Sequence, residues 1–400
     1  MFPNDAASSI RAADQLVPKD VSMPIGVSKT TFINLNMVRA LSGFVVVFSH
    51  FFQLFVMPVE GRSFGINLAL ASSEYAVLTF FTLSGFLIAL SINRNILSHG
   101  YFAWKEYFIS RVARIYPALI ASVFLCLFLY GILRLLGMVG PDSLNRVSDV
   151  YPASRSEFTM SKFEILSTLI QAYSFGPGGY IGGYINANGP LWSLSYEVGF
   201  YLAAGLLMTV ISGREIARFL SAICFVGLVL GSIQFEKFLF FHYGTIWALG
   251  VGLFFVLERM NRPRNQTSFL TKGDWVLSLL FLLLTITNIL FSLTGIEGSF
   301  IENYASSFLI TALLFGLTRL RSSISSGLAQ MADSTYTLYL FHFPMMLFFY
   351  AIIRDIYDQS PILYFSLACM FTIGLIPLIH RLAKFLENRR LWEKVMKTFI

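Results

Sequence analysis

Residues 34–52 read NLNMVRALSGFVVVFSHFF. A helix needs about 20 mainly apolar residues to cross the hydrocarbon core of a bilayer. This stretch supplies them with only two ionisable side chains, Arg39 and His50. The rest of the chain has the same character. Of 400 residues, 56% are apolar or aromatic and 13% are charged, and the mean hydropathy is +0.68. A soluble domain carries roughly 25% charged residues, so this chain lacks the charge that a water-facing surface of its size requires. The numbers exclude a cytosolic enzyme, a disordered chain and a secreted disulfide scaffold. They predict an all-α fold, a polytopic membrane bundle of about ten helices.

The ten expected spans lie near 34–57, 74–92, 115–139, 190–212, 216–233, 238–257, 275–294, 299–318, 334–353 and 361–383. The first 30 residues are polar and lack the apolar core of a cleavable signal peptide, so residues 1–30 are expected to be an N-terminal tail and 386–400 a C-terminal one. With alternating spans and both termini in the cytoplasm, 21 Lys and Arg residues fall on the cytoplasmic side and 6 outside. That asymmetry marks a multi-pass protein of the plasma membrane with both ends inside. The net charge of +7 is spread over short tracts between apolar runs, which fits orientation signals and not a nucleic-acid surface. Cys126, Cys224 and Cys369 each fall in an apolar run, as small buried hydrophobes do, so no disulfide framework is expected.

One outside segment is long, from about 140 to 189. Its apolar–polar stretch at 163–175 fits a helix lying in the interface. It ends in GPGGYIGGYINANGP at 176–190, with six glycines. This is either a flexible connector or a mobile lid over an outward-facing site.

Ionisable groups at membrane depth are costly and therefore candidates for function. Arg39 and His50 are 11 residues apart. At 100° per residue both leave the same helix face, roughly 16 Å apart along the axis. Arg39 is expected near the cytoplasmic surface and His50 in the outer half of the bilayer. Glu197, in PLWSLSYEVGFYL at 190–202, lies about seven residues into a span entered from outside, which puts it at the depth of His50. A carboxylate there either packs the helices or orients the imidazole as in a catalytic dyad. Arg111 and Arg114, in SRVARIYP at 110–117, share a helical face on the cytoplasmic side. They are either topology-setting charges or, joined by Arg39, a phosphate clamp. His342, in STYTLYLFHFPMM at 334–346, falls near the midplane with structural and catalytic roles both open. No metal-ligand spacing, P-loop or dinucleotide fingerprint is present, so no metal is expected.

The two layers suggest a group transfer. Arginines at one level would hold an anionic, phosphate-bearing donor. The deeper His–Glu pair would activate a hydroxyl. A long, thin carrier such as coenzyme A spans that distance.

Five blocks, LNMVRALSGFVVVFSH, FFTLSGFLI, SRVARIYP, PLWSLSYEVGFYL and STYTLYLFHFP, occur in the order found in the acyltransferase-3 family of integral membrane acyltransferases. The resemblance runs from about residue 31 to residue 385. It implies transfer of an acyl group, acetyl or similar, from cytoplasmic acyl-CoA to a hydroxyl of an exported or cell-surface glycan. His50 then matches the family's essential histidine and Arg39 its partner in the Arg-x10-His motif. Arg111 and Arg114 match the paired arginines before the next span, and Glu197 the glutamate of the PLWSLS block. Two positions depart from the pattern: Asn36 and Val198 stand where acidic residues are common. An alternative reading is a transporter or flippase for a small anion or a lipid-linked sugar, with the charges lining its pathway. It predicts paired repeats with broken helices, and no repeat is visible.

Overall fold

The computed structural model describes residues 28–136, 186–213, 215–236, 239–261, 299–320 and 322–398. These residues form helices and no strand. The principal helices are α1 (Lys29–Phe51), α2 (Phe64–His99), α3 (Trp104–Leu135), α4 (Trp192–Ser212), α5 (Glu215–Glu236), α6 (Leu239–Asn261), α7 (Ser299–Thr318), α8 (Thr335–Ile353), α9 (Pro361–Leu386) and α10 (Arg389–Lys397). Local chemistry sets their ends. Ser28, Ser63 and Ser360 each accept a hydrogen bond from the backbone N–H three residues on, which satisfies one orphan donor of the first turn. Gly100 closes α2 at φ 73°, a left-handed conformation that glycine adopts without strain.

Among the described residues, seven stretches are long and apolar enough to cross a membrane. They centre on α1, α2, α3, α4, α6, α8 and α9, and match seven of the expected spans. Helices α5 and α7 coincide with two more, near 216–233 and 299–318. The expected span at 275–294 lies outside the described residues, as do the stretch at 163–175 and most of the 140–189 loop.

The polarity of the bundle is the reverse of a soluble core. Phe219, Ile223 and Leu230 of α5, Leu309 and Leu313 of α7, and Ile362, Met370 and Ile373 of α9 are exposed. Asn34, Thr82, Ser122, Thr337 and His342 are fully buried. An apolar surface around a polar-studded interior is stable only when lipid covers it, so the protein is a membrane protein. Cys126 is buried as expected, whereas Cys224 and Cys369 are exposed on that apolar surface.

Helix α2 is the central post, packed on α1, α6 and α7. It crosses α6 at a point where both backbones need glycine. A Cβ on Gly85 would run into the Trp247 carbonyl oxygen, and one on Gly250 into that of Thr82. Small residues let membrane helices approach this closely. The largest buried cluster joins α1, α3, α4, α8 and α9, and the candidate site lies within it.

Candidate active site

Helices α1 and α8 lie side by side and touch at two levels. At the first, the Arg39 guanidinium donates through Nη2 to the carbonyl of Ala332, in the turn before α8. At the second, His50 Nδ1 meets His342 Nε2 at 2.9 Å. Eleven residues along α1 and ten along α8 separate the two contacts, so the helices keep register over about 16 Å.

The Arg39 level is an arginine layer that also holds the carboxylates of Asp333, Glu197 and Glu387. Arg39 also lies 3.9 Å from the exposed Asp333 carboxylate, and its buried Nε has no hydrogen-bond partner among the described residues. Arg111 is buried, donates to Ser91 Oγ at 2.9 Å, and lies over the rings of Tyr107 and Tyr201 at 5.5 and 5.8 Å. Arg114, one helical turn on, is in electrostatic range of Tyr201, Glu197, Glu387 and Tyr336. Arg114 is thus in electrostatic range of both Arg39 and Arg111.

Glu197 belongs to this layer as well, which corrects its expected pairing with His50. Its Oε1 accepts from the Tyr201 hydroxyl and from Ser84 Oγ. The cause is the way α4 begins. Residues Asn186–Leu191 form a 3₁₀ turn in which Asn188 and Pro190 are already buried. Pro344 in α8 has no N–H to give to the Leu340 carbonyl one turn back. The fully buried Asn188 side chain donates to that carbonyl instead, at 2.8 Å. Tyr339 donates to the Pro190 carbonyl, and Ser193 donates to Tyr339 at 2.6 Å. So α4 starts level with Leu340, near the histidines. Five residues into α4, roughly 8 Å along the axis, Glu197 has reached the arginine layer.

The second level holds His50, His342 and a cavity of about 300 Å³. His50 lines it, together with Glu74, Trp192, Tyr243 and Tyr339. The ring of Phe343 meets His50 edge-on at 5.1 Å. Directly after His50, residues Phe52–Val56 form a π-helical turn, a feature common at functional sites. Tyr364 donates to the Phe55 carbonyl at 3.0 Å in that turn. No group of three or more His, Cys, Asp or Glu residues is placed to hold a metal among the described residues.

Sequence reasoning missed four residues of the site. Tyr201 is four residues after Glu197 and therefore on its face. Ser84 lies in a block that had been singled out. Asn188 answers the carbonyl freed by Pro344, a demand legible from a proline inside an apolar helix. Glu387 falls in the expected C-terminal tail, yet its Oε1 accepts from Thr337 N and Oγ1 at 2.8 and 2.7 Å. It thereby caps the first turn of α8, and nothing local in the sequence announced that contact.

The arginines of the layer can donate charge-assisted bonds to an anionic group, and an imidazole on a cavity wall can take a proton from a hydroxyl inside it. No curated protein and no solved structure gave a significant match to the chain. A family model described as an acyltransferase domain matches residues 32–381, which takes in α1 through α9 and every arginine and histidine of both levels. The chain belongs to the acyltransferase-3 family and is a membrane acyltransferase.

Proposed function

We propose that the protein moves an acyl group, acetyl in the first instance, from cytoplasmic acyl-CoA to a hydroxyl of an exported or cell-surface glycan, in the plasma membrane and with both termini cytoplasmic. The observation that carries this reading is the two-level arrangement on one helix. Arg39 sits in an arginine layer and His50, eleven residues on, beside a cavity. A donor with phosphates at one end and a thioester at the other would span those levels. Arg39 and Arg114 would hold its phosphates through charge-assisted bonds, and the Nε of Arg39, without a partner among the described residues, is a donor available for one. Arg111 would hold the layer in shape. Glu197 would orient the layer through Tyr201 and Arg114.

His50 would act as general base. As it accepts the proton of the acceptor hydroxyl, the oxygen attacks the thioester carbon. The C–S bond breaks, and the imidazolium returns its proton to the departing thiolate. Trp192, Tyr243 and Glu74 around the cavity are side chains that pack against and hydrogen-bond a sugar ring, which favours a glycan acceptor.

The test is donor binding by purified protein. Acetyl-CoA should bind, and dephospho-CoA should bind less tightly. Arg114→Ala should weaken acetyl-CoA by roughly 10- to 100-fold, the value of one or two charge-assisted bonds. Equal binding by wild type and Arg114→Ala would remove the donor site from this layer.

A further inference from the structure

We propose that His342 is the positioning residue that fixes which nitrogen of His50 carries the lone pair. The proposal rests on the reading of His50 as base, and deepens it.

The hydrogen-bond directions follow from chemistry. His342 Nδ1 is 2.8 Å from the Leu338 carbonyl oxygen, one turn back in α8. A carbonyl only accepts, so His342 Nδ1 carries the hydrogen. In a neutral imidazole the other nitrogen is then an acceptor. That nitrogen, His342 Nε2, is the one 2.9 Å from His50 Nδ1. His50 Nδ1 must therefore donate, which leaves Nε2 of His50 with the lone pair. The order runs from His50 Nδ1–H to His342 Nε2, and from His342 Nδ1–H to the Leu338 carbonyl.

Both members are held. His342 is fully buried, and its backbone belongs to the turn before Pro344, where Asn188 and Tyr339 tie α8 to the start of α4. His50 is pinned between His342 and the edge contact with Phe343. A histidine oriented by a neutral histidine does the tautomer-setting work that a carboxylate does in a serine-protease triad. It does so without placing a carboxylate charge at membrane depth, where an ionised group is costly. This explains why Glu197 is free to serve the arginine layer. It also assigns the buried His342 a role that packing alone does not require. The chain of donors ends at a backbone carbonyl, which cannot pass a proton on. The proton His50 takes must therefore leave by its Nε2, to the departing thiolate.

The experiment is nitrogen-15 NMR on the full-length protein in detergent or lipid, with labelled histidine. The chain has five histidines, and the His50→Gln variant identifies the His50 signals by their loss. The wild type should show His50 protonated at Nδ1 and bare at Nε2. His342→Leu should abolish that preference and lower acyl transfer between about 10²- and 10⁴-fold, as loss of a correctly presented base does. His342→Gln, whose amide oxygen can accept from His50 Nδ1, should keep the Nδ1–H tautomer and recover at least about tenfold over His342→Leu, the upper end of what one neutral hydrogen bond contributes. A wild-type spectrum with His50 protonated at Nε2 would overturn the proposal, and it needs no His342 variant, only the His50→Gln protein used for assignment. So would a His342→Leu protein whose tautomer is unchanged. The separate failure of the base assignment is distinguishable, because it would leave transfer intact in His50→Gln whatever the tautomer.

Discussion

Arg111 and Arg114 are three residues apart, yet their surroundings give them different work. Arg111 is buried between two tyrosine rings and hydrogen-bonded to Ser91. Arg114 is within electrostatic range of Glu197, Glu387 and two tyrosine hydroxyls. Arg111→Ala should therefore act first on stability, lowering the detergent melting temperature, and Arg111→Lys should not restore it, because an ammonium cannot lie flat across the rings. Arg114→Lys, which keeps a cation beside Glu197 and Glu387 but loses the planar fork, should leave the melting temperature nearly unchanged while weakening the donor. Equal melting shifts for the two would contradict this division. At this scale the sequence was informative about which residues matter and less so about partners. The arginines and His50 were legible because charge in an apolar helix is costly. The partner of Glu197 was not, because depth was counted from the expected boundary at 190, and the 3₁₀ turn there is already buried at Asn188 and Pro190.

At the scale of the helix, Pro344 and Asn188 form a unit. Asn188→Ala leaves the buried Leu340 carbonyl without its donor and should cost about 1–3 kcal/mol. In a Pro344→Ala background the restored N–H can serve that carbonyl, so the same change should cost less. A double-mutant cycle on unfolding in detergent reads the coupling, and strict additivity would remove it. The crossing of α2 and α6 gives a second expectation. Gly250→Ala presses a methyl group into the Thr82 backbone and should cost at or above about 3 kcal/mol, the upper end for overpacking. Gly252→Ala, on the same helix with nothing within 4 Å of the added Cβ, should be tolerated. The apolar runs foretold these helices well because period and length carry that signal. Which glycine sits at the crossing depends on helix rotation, and an apolar run without charged faces does not record it.

At the scale of the molecule, the arrangement has a direction. The arginine layer and the histidine cavity lie at different levels of the bundle, and in the proposed orientation the first faces the cytoplasm. In a background without the three native cysteines, a cysteine within 140–189 should react with an impermeant thiol reagent on intact cells, and one near residue 266 should not. The opposite pattern would put the donor site on the wrong side. The central claim is that acyl transfer depends on His50 while donor binding depends on the arginines. Its most direct measurement is the rate of labelled acetyl transfer from acetyl-CoA by purified His50→Gln protein, alongside its acetyl-CoA affinity. Transfer should fall by about 10²- to 10⁴-fold with affinity unchanged. Transfer at the wild-type rate by folded His50→Gln protein would contradict the account.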